Sequence, residues 1–343
     1  MPKSMTPQKF VLAAFNHKET GRVPLWASIH NRPVYEYILG PENVGDGSDV
    51  SLDDKLRLHA QVYEELGIDI ARAQIWPPDR HSKLKGETVW NEHKISAAEI
   101  SEYMPKIPSD AEKDDEVGIR CRQIGINRPH TVFAPTIRGT FCPTFEKMGL
   151  EEFSYACTDS PGEVRRVMEI NMAYARSMAE RYAARKEVII AAIVDDCAYK
   201  TDTIFPPQWM RDNWIPQIRY IIEPLKKAGK KVVFHSDGKM DVLIPDLIET
   251  GIDAINPLEP LAGMDLAELK KQFGKDVTLI GGVDCSQLLP FGKPQEIRDE
   301  VKRLLDIGAP GGGFIIGDSS SILPDTPVEN LLAFYETVHK YAF

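Results

Sequence analysis

No apolar run in this sequence approaches the roughly 20 residues that a membrane-spanning helix needs, so no membrane span is expected. Cysteines are few: five, at positions 121, 142, 157, 197 and 285, odd in number, widely spaced and without a CxxC pair. That spacing argues against a disulfide framework and points to a reducing cytoplasm. Positive charge is in deficit, with 41 Lys and Arg against 51 Asp and Glu and a net charge of −10. A surface built for nucleic acid or anionic lipid is therefore not expected. Met1-Pro-Lys-Ser-Met-Thr-Pro7 has no apolar core of the kind a secretory leader carries. Gly-x-Ser-x-Gly, His-Glu-x-x-His and Gly-x-Gly-x-x-Gly are missing from every place where chemistry would need them. Gly308-Ala-Pro-Gly-Gly-Gly313 is glycine-rich but lacks the Lys-Ser/Thr of a phosphate loop and precedes a strand, so it reads as a turn.

What is present is an apolar content of 43%, enough for a full core, and a repeated alternation of strand and helix patterns. β-favouring runs occur at 22–29, 69–76, 130–139, 187–194, 231–235, 254–258, 277–283 and 313–316. Helical periodicity separates them at 51–66, 160–185, 208–227, 240–250, 265–273 and 294–307, with flanking helices at 6–18 and 327–341. Several of these helices stop at glycine: Gly67, Gly229, Gly251, Gly274 and Gly308. Strict alternation predicts a parallel sheet, and eight repeats predict an α/β fold of the (β/α)8 barrel type, one domain over residues 1–343. A doubly wound open sheet is the second choice. Residues 79–128 break the rhythm. Short alternating pieces at Glu87–His93 and Arg120–Ile124 predict an inserted hairpin after strand two, either a lid over the barrel or a surface loop.

In such barrels the reactive groups stand at the C-terminal ends of the strands. There the sequence places His30 and Arg32, Trp76, Arg138, Asp195 and Asp196, Tyr199, His235 and Asp237, Glu259, Cys285, Asp318 and Ser320. The stretch Lys231-Val-Val-Phe-His-Ser-Asp-Gly238 is the clearest: a buried strand runs into His235 and Asp237, two apart and therefore on one side. They suit one shared metal ion, or else hydrogen bonds that close the barrel and cap the next helix. Of the vicinal Asp195-Asp196 pair only one can face the site, and Asp196 is preferred; two carboxylates there call for a cation. Cys285 is a further candidate ligand, although a free cysteine is most often a small buried hydrophobe.

Arg22-Val-Pro-Leu-Trp26, Val194-Asp-Asp196, Phe234-His-Ser-Asp-Gly238, Gly251-Ile-Asp-Ala-Ile-Asn-Pro-Leu258, Leu279-Ile-Gly-Gly-Val-Asp284 and Ile322-Leu-Pro-Asp-Thr-Pro-Val-Glu-Asn330 together resemble the uroporphyrinogen decarboxylase superfamily. The resemblance is nearest to its zinc-dependent corrinoid methyltransferases of the methoxyl-demethylating kind. It implies the same barrel and a zinc ion held by His235, Asp237 and a further carboxylate, Asp196 or Glu259. It also implies a small methylated donor oriented by His30, Arg32, Arg138, Tyr199, Trp76 and Ser320, and a cobamide carried by a partner corrinoid protein. A homodimer is left open. The first region, Ala27-Ser-Ile-His-Asn-Arg-Pro33, holds a single arginine, too few for a porphyrinogen with many carboxylates. The thiol-methylating branch uses His-x-Cys and a later cysteine, where this chain has His235-x-Asp237 and Ser320. Two alternatives stand beside this expectation. One is a metal-independent decarboxylase of a smaller acid, with Asp196 or Asp237 handling the proton. The other is a non-catalytic binding relative, in keeping with Ser320.

Overall fold

The computed structural model describes residues 5–44, 51–72 and 94–342. Its strands are β1 (Leu25–Ala27), β2 (Ile70–Arg72), β3 (Val132–Ala134), β4 (Thr136–Arg138), β5 (Ile190–Val194), β6 (Lys231–His235), β7 (Ala254–Asn256), β8 (Thr278–Val283) and β9 (Phe314–Asp318). All pair in parallel in the order β3-β2-β1-β9-β8-β7-β6-β5-β4. The two ends of that sheet, β3 and β4, are halves of one chain run parted by Pro135, which has no N–H to give the ladder. β3 pairs with β2 and β4 with β5, while Ala192 N donates to the Pro135 carbonyl at 2.9 Å. The sheet thus closes on itself as a (β/α)8-type barrel of eight staves, as the alternation predicts.

Period-two burial sorts the strands into two layers. In β5, Ile190 and Ala192 join Trp26, Ile70, Val132, Ala134, Val233, Ala254, Ile280 and Ile315 inside the barrel. Ala191 and Ile193 face the surrounding helices. Val11, Ala14 and Phe15 of the helix Pro7–Phe15 plug the interior from the N-terminal end of the strands. The glycine-rich turn lies at that same end: Gly311 N donates to Glu19 Oε1 at 2.7 Å. The opposite end, where Arg72, His235, Asn256 and Asp318 close their strands, is left for chemistry.

The insertion differs from the expected hairpin. Arg120–Ile124 lies within the helix Asp110–Asn127, and Glu87–His93 falls outside the described residues. The helix starts at a capping box, with Ser109 N donating to Glu112 Oε2 at 2.7 Å. It buries Val117 and Ile124, seven apart and so two turns along one face. Over five residues a helical stripe and a strand alternation look alike, and the longer window decides for the helix. The single helix expected over 208–227 is two, Pro207–Asn213 and Ile215–Lys227, parted at Trp214. Two helices that were not anticipated, Phe141–Met148 and Leu150–Asp159, meet at Gly149, whose φ is +81°. Ser160 precedes the next helix but makes no side-chain cap bond there. No helix among the described residues is long and apolar enough to cross a membrane.

Candidate active site

β5 ends by sending two neighbouring carboxylates in opposite directions, as a period of two requires. Asp195 turns into the protein and is fully buried. Its Oδ2 accepts from Thr140 N (2.9 Å), Phe141 N (3.1 Å) and Trp214 Nε1 (2.7 Å), and its Oδ1 from Cys142 N (2.7 Å). It therefore anchors the N-terminus of the helix Phe141–Met148, where free N–H groups and the helix dipole favour an anion. Gly139 makes room for it, since a Cβ there would lie 2.1 Å from Asp195 Oδ2. Asp196 turns to the mouth and accepts from Asp237 N at 3.1 Å.

His235, at the end of β6, is fixed by a chain of hydrogen bonds. Asn256 Nδ2 donates to the Ile280 carbonyl at 3.5 Å, which turns Asn256 Oδ1 toward His235 Nδ1 at 2.6 Å. An amide oxygen can only accept, so Nδ1 carries the proton and Nε2 presents a lone pair. Burial, then the charge of Arg72, holds the imidazole pKa down at about 3. His235 is neutral at any working pH.

Asp196, His235 and Asp237 form a group in which one ligand atom from each lies within 4.8 Å of the others. Asp237 Oδ1 stands 3.7 Å from His235 Nε2, is itself shielded from solvent and has no hydrogen-bond partner. Burial first, then the charges of Asp196 and Glu259, push the Asp237 carboxyl up to about 7. Such crowding favours a proton or a metal cation between the carboxylates. A nitrogen and two carboxylate oxygens, with further positions open, fit zinc in a catalytic arrangement. The Asn256–His235 pair supplies the outer hydrogen bond that metal-binding histidines ordinarily make.

The other expected residues are distributed around this group. Ser320 Oγ donates to Asp237 Oδ2 at 3.2 Å, and Glu259 Oε2 accepts from Gly238 N at 2.9 Å, holding the turn that carries Asp237. That turn needs glycine: Gly238 has φ +88°, and a Cβ there would lie 2.6 Å from the Ala198 backbone. Arg138 pairs with Glu146 and donates to Cys142 Sγ at 3.5 Å, and its charge also lowers the Asp196 pKa against the larger effect of burial. Tyr199 is exposed, with its carbonyl accepting from Lys239 N at 2.7 Å. His30 follows β1; burial and the charge of Arg72 lower its pKa. Arg32 is bound by Glu36 on its own helix, Nε to Oε1 at 2.7 Å. Cys285 is buried against Ser319 Oγ at 3.5 Å, outside the three-residue group, and burial pushes its thiol up to about 11. Trp76 lies outside the described residues.

Arg72, Asn256 and Asp318 complete the mouth; Asp318 was expected at its strand end, whereas Arg72 and Asn256 were not among the expected site residues. Asn256 and Asp318 are polar residues that close otherwise apolar buried strands, and Arg72 is the last described residue of β2. Arg72 was passed over because strand two was expected to run on to Trp76. Asn256 was passed over because its strand was expected to run on through Leu258 and end at Glu259. Asp318 is fully buried, accepts from Ser28 N at 3.0 Å through Oδ2, and has its pKa raised to about 7, chiefly by burial.

The uroporphyrinogen decarboxylase (URO-D) family profile matches residues 141–341. The chain belongs to this family. Within it, the uroporphyrinogen decarboxylase of Nostoc punctiforme is 37% identical over 284 residues, 81% of this chain and 74% of that one. The methylcobamide:CoM methyltransferase MtaA of Methanosarcina barkeri is 27% identical over 177 residues, 50% of this chain and 46% of that one. The uroporphyrinogen decarboxylase of Actinobacillus succinogenes is 37% identical over 79 residues, 23% of this chain and only 22% of that one. Among solved structures, a methyltransferase from Methanosarcina mazei superposes with a TM-score of 0.71 at 16% identity, over 98% of this chain and 99% of that one, a likeness of fold. The family profile takes in Asp196, His235, Asp237 and Asn256.

Proposed function

We propose that this protein takes a methyl group from a small methylated, most simply methoxylated, donor and delivers it to the reduced cobalt of a separate corrinoid protein. The observation that carries the proposal is the Asp196–His235–Asp237 group, in which a buried, oriented imidazole stands beside half-buried carboxylates, one Asp237 oxygen having no hydrogen-bond partner among the described residues. These three residues would hold zinc, which when bound supplies Lewis acidity to the departing heteroatom. A nitrogen-and-carboxylate set donates less charge than thiolates, which suits an ether or alcohol oxygen as leaving group rather than a thiol nucleophile. The kinship with a methylcobamide methyltransferase supports the same direction.

The remaining roles belong to the chain. Asn256 keeps the proton on His235 Nδ1, so that Nε2 stays an acceptor. Ser320 and Glu259 hold Asp237 and its turn. His30, Arg138 and Tyr199 border the mouth from the ends of β1, β4 and β5 and would orient the donor. The chain has no Asp-x-His-x-x-Gly corrinoid signature, so the cobamide would arrive on its partner at this open end. Methoxylated compounds incubated with the protein and cob(I)alamin should yield methylcobalamin, read from its absorption spectrum, and Asp237→Ala should abolish the yield. A wild-type protein that methylates no cobalamin from any such donor, yet releases carbon dioxide from a small acid, would favour the decarboxylase alternative. For that reading the relevant observation is the Asp237 carboxyl, titrating near neutrality.

A further inference from the structure

Arg72, the last described residue of β2, stands beside His235 in the mouth and is nine-tenths buried. Its Nη2 is held by Ser28 Oγ (3.2 Å), the Ser320 carbonyl (3.1 Å) and Ser321 Oγ (3.0 Å). Nη1 donates to the lone pair of His235 Nε2 at 3.4 Å, a bond that a metal ion on Nε2 would replace, and Nε is buried with no partner among the described residues. Among the described residues no carboxylate forms an ion pair with it; Asp196, Asp237 and Asp318 act on it only through space. The imidazole it faces is neutral and cannot compensate the charge. A guanidinium withdrawn from water without an anion is costly, and its planar fork matches a carboxylate. Among the described residues the same mouth thus holds a cation with no carboxylate in direct contact and, on the other side of His235 Nε2, carboxylates with no cation in direct contact.

We propose that Arg72 is the recognition site for a carboxylate on the methyl donor, a reading that rests on the methyltransferase function above. One nitrogen, His235 Nε2, lies 3.4 Å from the arginine and 3.7 Å from Asp237 Oδ1. The two ends of the ligand therefore meet across a single imidazole edge. Such a span suits a short acid in which one or two carbons separate the carboxylate from the methylated heteroatom, and disfavours a donor with the two groups at opposite ends of an aromatic ring.

The test is isothermal titration of the zinc-loaded protein with methoxyacetate, its neutral analogue methoxyacetamide, and 4-methoxybenzoate, with metal content measured on every sample. Methoxyacetate should bind at least about tenfold tighter than the amide, the scale of a buried charge-assisted pair, and tighter than 4-methoxybenzoate. Arg72→Gln should erase the preference for the acid while keeping its zinc, and Arg72→Lys should restore part of it. Equal binding of acid and amide by the wild type overturns the proposal without recourse to any variant, as does a preference that survives in a folded Arg72→Gln protein. A tighter fit for 4-methoxybenzoate overturns the short-acid assignment. Preference for the acid in a wild-type protein that takes up no zinc would sink the methyltransferase reading and leave the carboxylate site standing. Zinc without that preference would do the reverse.

Discussion

Asp195→Ala is expected to destabilise the fold by about 3–5 kcal/mol, whereas Asp196→Ala, one residue on, should leave stability within about 1 kcal/mol of wild type. The contrast follows from where the two carboxylates point. Removing the Asp195 side chain strips four buried N–H groups of their acceptor: three at the start of the helix Phe141–Met148, and the Trp214 indole. Each buried donor left unmade costs about 1–3 kcal/mol, with partial relief from relaxation and water. The Gly139 backbone packs directly on this carboxylate, so its loss also opens a void beside β4. Asp196 supports a single backbone N–H, that of Asp237. Its removal should instead cost methyl transfer on the order of 100-fold or more, since a ligand contributes more than the 10–100-fold typical of the groups that support ligands. Chemical unfolding followed by circular dichroism, with turnover measured in parallel, checks both halves. Equal stability losses in the two variants would contradict the division of labour.

Asn256→Ala should weaken zinc binding about 10–100-fold without unfolding the protein, and Asn256→Asp should retain it. Asn256 touches no substrate in this scheme; it acts through His235. With its Oδ1 gone, Nδ1 loses its 2.6 Å acceptor and the ring is free to rotate or to move its proton to Nε2, which removes the lone pair from the site. An aspartate at the same position still accepts from Nδ1 and raises the basicity of Nε2. A competition titration against a chelating dye measures the affinity directly. An alanine variant with wild-type affinity would mean that packing alone orients His235.

Much of this arrangement was legible in the sequence because barrel geometry converts strand ends into site positions. β5 and β6 are continuous apolar runs, and the acids and the histidine that follow them could be placed before any coordinates. The period of two also separated Asp195 from Asp196. What was not legible depended on where a strand stops. Arg72 sits inside a run that continues in sequence to Trp76, so the local pattern does not single it out. Asn256 lies inside the expected strand 254–258, whose end pointed to Glu259 instead. That Cys285 lies outside the group while Ser320 reaches Asp237 depends on side-chain direction across three strands, which spacing along the chain does not encode. The helix Asp110–Asn127 was misread for the reason given above, although its Ser-x-x-Glu start was in plain view.

The most direct test of the metal centre is elemental analysis of protein purified without chelator, wild type beside His235→Ala. Zinc at Asp196, His235 and Asp237 predicts about one equivalent per chain in the wild type and near zero in the folded variant, because the single nitrogen donor of the group is gone. A wild type free of zinc after exposure to the metal, or a variant that keeps its full equivalent, would contradict the assignment.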